Sequence, residues 1–455
     1  MARSIFVKRI ELVSRLKLLL AGVAMAFASV PSNASDLIDV YRLALLNDPQ
    51  FEVARYELKA ELQMYPQALS EFLPDIVARG ENSLSQVDNQ FSSSPSVDRE
   101  IHSWNWSIEL TQPLIRIQSM YGYDNARMAV ELAKTRYQLA QQDIILRVAE
   151  SYFGVLSAKE EIDVIKAELA AAEAQLEQAK KGHEKGVVAL TDVLEANSRL
   201  SLAYSDIAAA QSEYQIKKTE LARIIDQVPE YLAGMSPDMD IPEPLPNSVE
   251  HWIDLALNNN LSVIASRYDF QAKEAALGSA RSEHTPTLDL VASYSENYSS
   301  GSTNTPDYYA NKGNNKKIGL RFSMPIYSGG QTSSRVSQAH AQKYQAGAEL
   351  ELSKRQAKTD VRLAFSGVVD GLSRMSALQA LVESGEQIVE QSHIGYKHGI
   401  YNNFKVLDAE KNYYAAKRDL VSVRYEIVLQ ALKLKAAVGD LSTQELDWVN
   451  TLLVD

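Results

Sequence analysis

The sequence predicts a mainly α chain with membrane β. Its halves are a duplicated structural repeat, and in each half long coiled-coil helices are joined to two strands. Four strands per chain cannot close a barrel alone, and a twelve-stranded β-barrel shared by three chains is the closure expected of a conduit. Three observations predict this: an internal repeat of about 212 residues, strand-length segments that alternate apolar with polar side chains, and helical patterns far longer than a compact domain uses.

The first element, residues 1–34, reads as a secretory signal peptide. Arg3, Lys8, Arg9, Arg15 and Lys17 give a basic start, and an apolar run extends from Leu18 to Ala28. Ser32 and Ala34 place small side chains at the −3 and −1 positions of a cleavage site, so cleavage is expected after Ala34. The apolar run falls short of the roughly 20 residues with which a helix crosses a bilayer, which argues against an anchor in the inner membrane. The chain has a formal net charge of −12, and loss of the basic signal makes the remainder more acidic still. Nucleic acid is therefore excluded as a partner, since phosphate neutralisation needs clustered Lys and Arg. The cysteine count of 0 removes disulfides, thiolate metal sites and an acylated N-terminal cysteine. No later apolar run approaches about 18 residues, so no transmembrane helix is expected.

The duplication sets the domain boundaries. At a shift of 212, Leu43-Ala44-Leu45 falls on Leu255-Ala256-Leu257, Arg55-Tyr56 on Arg267-Tyr268, Pro74 on Pro286, Pro113 on Pro325 and Phe153 on Phe365. After one added residue Gly186 falls on Gly399, Val193-Leu194 on Val406-Leu407 and Ala196 on Ala409. A period this long marks a duplicated domain rather than a solenoid. The first repeat is residues 35–225, the second is 251–439, and 440–455 is a C-terminal segment. Between the repeats, 226–250 holds Pro229, Pro237, Pro242, Pro244 and Pro246, so it reads as an extended linker, either packed or a free hinge.

Within the first repeat, a helix is expected from about Leu37 to Glu71, ended by Pro74. Two alternating segments follow, the second stopping at Pro113, with a Ser/Asn-rich loop between them (Phe91 to Pro95). The matching loop of the second repeat is Tyr298 to Thr305. A very long helix from about Ser119 to Lys181 leads to a glycine-bounded turn (Gly182, Gly186). A last helix runs from Thr191 to about Asp226.

In the strand before Pro113, Trp104, Trp106, Ile108 and Leu110 share one face, and Ser103, Asn105, Ser107, Glu109 and Thr111 share the other. Leu288 and Leu290 alternate with Thr287 and Asp289, and Ile318, Leu320 and Phe322 alternate with Gly319, Arg321 and Ser323. The apolar set fits the lipid face of a membrane barrel, and the same pattern fits a half-buried sheet in a soluble protein. The helices decide between these. Ile162, Ile165, Leu169, Ala172, Leu176 and Ala179 form a coiled-coil seam, and residues 119–181 make a rod of roughly 95 Å. Four strands cannot close a barrel, and open edges are not tolerated in lipid. Two chains would supply eight strands with a filled interior, whereas three supply twelve and begin to leave a pore, so a homotrimer in contact with outer-membrane lipid is expected.

At this point the chain resembles the TolC family of outer-membrane efflux and type I secretion channels. The resemblance rests on Pro286-Thr-Leu-Asp-Leu290, Gly319-Leu-Arg-Phe-Ser-Met-Pro-Ile-Tyr-Ser-Gly-Gly330, Gly186-Val-Val-Ala-Leu-Thr-Asp-Val193, Gly395-Tyr396 and Val406-Leu-Asp-Ala409. It covers essentially the whole mature chain. It implies a trimer in the outer membrane of a Gram-negative bacterium, with a large periplasmic α-helical tunnel and an equatorial belt built from linker and termini. It further implies an exit duct working with a periplasmic adaptor (membrane fusion) protein and an inner-membrane transporter of ABC, RND or MFS type. The turns at Gly186, Val187, Val188, Ala189 and Leu190, and at Gly399 and Ile400, would be the adaptor-docking tips. Asp408 matches an acidic gate position, and Tyr396 and Asp192 match positions of the network that holds the family's gate shut. Two positions depart from the pattern: Tyr401 replaces a network arginine, and Lys405 replaces a second gate acid. On a helix Lys405 and Asp408 share a face and can pair, with Asp192 competing; the alternative is a Lys405 that points outward and is solvated.

No enzyme, metal or cofactor is expected. The histidines form no His-Glu-x-x-His motif, and His393 and His398 read as solvated. Gly329-Gly330 lacks the lysine of a phosphate loop, and acid pairs such as Glu160-Glu161 read as helix surface. The alternative to a duct is a periplasmic coiled-coil scaffold or adhesion protein without a pore, which would leave Trp104 and Trp106 on one strand face without a use.

Overall fold

The computed structural model describes residues 35–89, 97–227, 231–236, 241–301 and 310–454. The signal reading, the Phe91–Pro95 loop, residues 302–305 of the second loop, and Pro229 and Pro237 lie outside the described residues.

The first repeat runs α1 (Leu37–Asn47), α2 (Pro49–Glu61), α3 (Met64–Ser70), β1 (Asp75–Asn89), β2 (Val97–Ile115), α4 (Ile117–Glu184) and α5 (Leu190–Ile225). After β3 (Gly234–Met235), the second runs α6 (Val249–Asn259), α7 (Leu261–Ser282), β4 (Thr287–Ser299), β5 (Asn311–Ser323), α8 (Gln331–Lys397) and α9 (Asn403–Ala437). The chain continues through α10 (Thr443–Asn450) and β6 (Leu453–Val454). At 1.5 Å per residue, the 68 residues of α4 and the 67 of α8 are rods of about 100 Å.

The single helix expected over Leu37–Glu71 is three. Pro49 has no N–H to extend α1, and Asp48 serves both ends of the break. Its own N–H donates to Ala44 O at 2.8 Å, while its carboxylate accepts from Gln50 N at 3.3 Å and Phe51 N at 3.1 Å. Asn260 does the same between α6 and α7, accepting from Val263 N at 3.1 Å. Pro113 also fails to stop its strand: β2 continues to Ile115 through a register shift, the position within a sheet where a proline lacking its N–H is tolerated.

The shorter helices stack end to end beside the continuous rods. Asn47 Nδ2 donates to Ile225 O at 3.1 Å, joining α5 to α1. Asn260 Nδ2 donates to Ala437 O at 2.8 Å, joining α9 to α7. The repeat-equivalent residues Asp226 (φ 68°) and Gly439 (φ 77°) turn the chain out of α5 and α9. Only glycine fits at 439, where a Cβ would overlap Asn259 O.

The main core lies at this height. Ile144, Val148, Tyr152 and Phe153 of α4 pack with Tyr425, Ile427 and Leu432 of α9, Val40 of α1, and Leu446 and Val449 of α10. The linker is packed rather than a free hinge: Met235 and Ile241 are buried in the same core. β3 pairs antiparallel with β6, Gly234 opposite Val454, and Ser35 bridges Leu232. Tyr152 Oη donates to Ala233 O at 2.8 Å, fixing the linker to α4.

The larger sheet has the order β1-β2-β4-β5, all antiparallel. One row crosses it as Ile76, Leu110, Ala292 and Ile318, so alternate residues of all four strands share a face. β1 and β5 are edges in a single chain. Among the described residues no helix is long and apolar enough to cross a membrane, a statement that says nothing of a β-barrel.

Candidate functional site at the helix tips and on the sheet

The turns α4–α5 and α8–α9 are built alike. In the first, Gly186 N donates to His183 O at 2.9 Å and Val187 N to Gly182 O at 3.0 Å, with Gly186 at φ 74°. In the second, Gly399 N donates to Tyr396 O at 3.0 Å and Ile400 N to Gly395 O at 2.8 Å, with Gly399 at φ 71°. Both are Schellman closures, in which a left-handed glycine lets the last carbonyls of a long helix find partners. A second glycine completes each. Val188 packs onto Gly182 and Tyr401 onto Gly395, where any Cβ would overlap those side chains. Gly182 thus belongs to the helix rather than bounding the turn. The turns present apolar side chains to solvent: Val187, Leu190 and Leu194 on one, Ile400 and Phe404 on the other, with Ala189 exposed and Val188 half-buried. Asn402 caps α9, accepting from Lys405 N at 3.1 Å, whereas Ala189 gives α5 no side-chain cap.

Above the turns a polar layer interrupts the apolar seam. Asn403 is fully buried, accepts from Gln175 Nε2 of α4 and donates to Asp192 O of α5 at 3.4 Å. The Tyr396 hydroxyl is enclosed without a hydrogen-bond partner, and burial, then the nearby Asp192 carboxylate, raises its pKa. Asp408 is half-buried and Lys405 exposed. Neither the Lys405–Asp408 nor the Lys405–Asp192 pair is formed among the described residues: Lys405 is exposed, where hydration of the ammonium competes with a weak surface pair.

The seam passes through Glu168 and Gln175 as well as Ile162, Ile165, Ala172 and Ala179. Glu168, 3% exposed, takes Arg199 of α5 on one oxygen and Arg418 of α9 on the other, at 2.7 Å. His393, read as solvated from sequence, instead shares a hydrogen bond between Nε2 and the buried Glu410 carboxyl at 2.9 Å, tying α8 to α9. Burial raises the Glu410 pKa, partly offset by His393 and Arg199, and pushes the neighbouring Tyr414 phenol up to about 12. Glu160 is likewise not free surface, since it accepts from Tyr425 Oη. Sequence reasoning missed this layer. Its one signal is that Glu168 and Gln175 stand seven apart, a heptad within an apolar series.

On the sheet, Trp106, Ile108, Ile318, Leu320 and Phe322 are exposed, and Trp104, Leu110, Leu288 and Leu290 partly so, all on one face. Aromatic pairs cross the strands on that face: Trp104–Tyr298 at 5.9 Å and Trp106–Tyr294 at 5.2 Å. The opposite face is polar. Glu109 lies 3.2 Å from Arg79 and 3.6 Å from Arg321, and buried Asp289 pairs with Arg116 at 3.2 Å. Among the described residues, no group of three or more acids and histidines is placed to hold a metal ion.

The family model described as "Outer membrane efflux protein" matches residues 40–226 and 252–440. The chain is 30% identical over 437 residues to the outer membrane protein TolC of Vibrio cholerae, covering 95% of this chain and 98% of that protein. It is 26% identical to the alkaline protease secretion protein AprF of Pseudomonas aeruginosa, covering 96% and 91%. Among solved structures, the outer membrane protein VceC of Vibrio cholerae superposes with a TM-score of 0.75 at 19% identity, covering 89% of this chain and 96% of that one. The CmeC outer membrane channel of Campylobacter jejuni gives 0.75 at 18%, covering 89% and 85%.

Proposed function

The chain belongs to the outer membrane efflux protein family, and on that premise we propose that it is the trimeric exit duct of a tripartite efflux pump or type I secretion system. It is an outer-membrane channel with a large periplasmic part, and channels of this family form trimers and work with adaptor and transporter partners. One observation carries the reading. The four strands carry their apolar side chains on one face and end in unpaired edges, and they sit atop rods of about 100 Å. In lipid such edges must be paired, so neighbouring chains pair β5 with β1 and the polar face lines a pore. The match to the family model described as an outer membrane efflux protein and the similarity to AprF, named for protease secretion, support the two cargo routes. The energy would come from an ABC, RND or MFS-type transporter, and the chain itself performs no catalysis.

The turns at Gly186–Leu190 and Gly399–Ile400 are the adaptor-docking tips in this reading, and Asp192, Tyr396, Tyr401, Lys405 and Asp408 surround the periplasmic entrance. The linker, α10 and the two-stranded sheet form the equatorial belt. The test pairs an envelope assay with an export assay. Gly399→Pro demands a φ near −65° where the chain needs 71°, and Val188→Asp places a charge on the tip. Both are expected to abolish export while heat-modifiable trimers persist and conduct in planar bilayers. Wild-type trimers that fail to conduct would overturn the duct, and loss of trimers in the variants would make the tips structural.

A further inference from the structure

The apolar face of the large sheet differs at its two ends. Toward the helices the exposed side chains of β5 on this face are Ile318, Leu320 and Phe322, with no lysine among them. At the far end, where β4 and β5 approach their connecting loop, the aromatic pairs are joined by two lysines of β5. Lys312 stands opposite Tyr298 and Lys316 opposite Tyr294. The Lys312 ammonium is 6.0 Å from the Trp104 ring centre, and that of Lys316 is 5.8 Å from the Tyr294 ring centre. Glu296, on the same face, accepts from Trp106 Nε1 at 3.1 Å and pairs with Lys312 at 3.1 Å. It neutralises one ammonium, and Lys316 has no carboxylate partner among the described residues.

A cation on a lipid-facing strand is unfavourable unless its charge reaches the headgroup region and finds an anion there. An aromatic belt marks that height. Lys312 and Lys316 lie four residues apart on one strand, roughly 13 Å, with aromatic rings beside each. Flat aromatic faces suit sugar rings, the Lys316 ammonium suits a phosphate, and a second phosphate of the same headgroup would compete with Glu296 for Lys312. We propose that Lys312 and Lys316, with the Trp104–Tyr298 and Trp106–Tyr294 pairs, bind the phosphorylated sugar headgroup of an outer-leaflet glycolipid. The site rests on the barrel reading, because it requires this face to meet lipid. It adds a ligand that the duct function does not use.

The experiment uses the purified trimer in detergent, with bound lipid read by native mass spectrometry. The probes are bisphosphorylated diglucosamine glycolipid (lipid A), its dephosphorylated form, and inorganic phosphate. Wild-type trimers are expected to bind the phosphorylated lipid about 30-fold more tightly than the dephosphorylated one, and Lys312→Ala with Lys316→Ala to lose the same factor. Arginine at both positions restores binding, and Lys317→Ala, on the polar face, leaves it unchanged. Equal binding of both lipids, equal binding by wild type and the double alanine variant, or displacement by millimolar inorganic phosphate would overturn the proposal. The double variant should keep wild-type conductance. Failure of wild-type trimers to conduct while they still bind lipid would count against the duct and leave this site standing.

Discussion

Glu168 of the first repeat and Arg418 of the second meet at 2.7 Å across 250 residues of sequence, within a helical seam where the carboxylate is 4% exposed. The same carboxylate holds Arg199, so one side chain clamps α5 and α9 to α4. A buried charge that loses its partners is far more costly than the pair is stabilising. Glu168→Ala should therefore cost about 3 kcal/mol and Arg418→Ala distinctly less, since Arg199 still answers the carboxylate. The double variant should fall short of the sum by about 1 kcal/mol or more. Denaturation of the four proteins checks this, and strict additivity would show that the two side chains do not interact.

The packing of Tyr401 against Gly395 makes a second prediction. Alanine is the better helix former by about 1 kcal/mol, yet here its Cβ would displace the ring. Gly395→Ala should loosen the turn, raising hydrogen exchange at the Gly399 and Ile400 amides while distant α8 amides stay protected. Gly182→Ala should do the same at Gly186 and Val187, by displacing Val188. Unchanged exchange in both would remove the close packing from the account.

Glu410 sets a pH dependence whose sign follows from burial. Its folded pKa lies above the ordinary 4.5, so the folded chain binds the proton more tightly than the unfolded one. The associated stability is present below 4.5 and is lost as pH rises through the raised value. Glu410→Gln mimics the protonated form, so the melting temperature of wild type relative to this variant should fall as pH increases above 4.5. The His393 ring limits the size of the fall. A constant difference from pH 4 to 8 would contradict it.

On the sheet, Leu110→Arg and Leu320→Arg should each impair trimer assembly, a lipid-facing arginine costing about 2–4 kcal/mol near the midplane. Glu109→Gln should assemble, but it leaves Arg79 and Arg321 uncompensated on the polar face. The pore should shift toward anion selectivity, measured as reversal potential in a salt gradient. Normal assembly of the arginine variants would remove the lipid assignment of that face.

Lys405, exposed and without an ion pair, should contribute within about 0.5 kcal/mol to stability when changed to alanine. In the proposed duct its charge, repeated in three chains around the entrance, should still oppose Asp408. Lys405→Ala is expected to raise cation preference in planar bilayers, and Lys405→Ala with Asp408→Ala to lose that gain. Unchanged selectivity in the single variant would place the lysine away from the ion path.

Much of this fold is legible in the sequence because it is written locally. Pro74 and Pro286 end helices by their chemistry, Trp104 to Leu110 alternate at the period of a strand, and Gly186 and Gly399 repeat at a fixed shift. The break at Asp48-Pro49 was equally local, an N-cap followed by proline inside a periodic run, and periodicity alone passed over it. The polar layer above the turns is different in kind. Gln175 and Asn403 lie 228 residues apart, and Glu168 and Arg418 lie 250 apart, so no spacing rule pairs them. A glutamate on a long polar helix reads as solvated until a distant arginine is brought to it. His393 was misread for the same reason, its partner being on the next helix.

The two Asn junctions, α5 to α1 and α9 to α7, fall within one residue of each other in the duplicated chain. Every rod of the bundle is therefore either unbroken, like α4 and α8, or jointed where the linker and α10 wrap it. A jointed rod transmits compression but little bending, because no hydrogen-bonded ladder crosses the break. Torque applied at the turns is therefore relieved at the joints that follow α5 and α9, while the unbroken α4 and α8 carry it straight to the strands they adjoin.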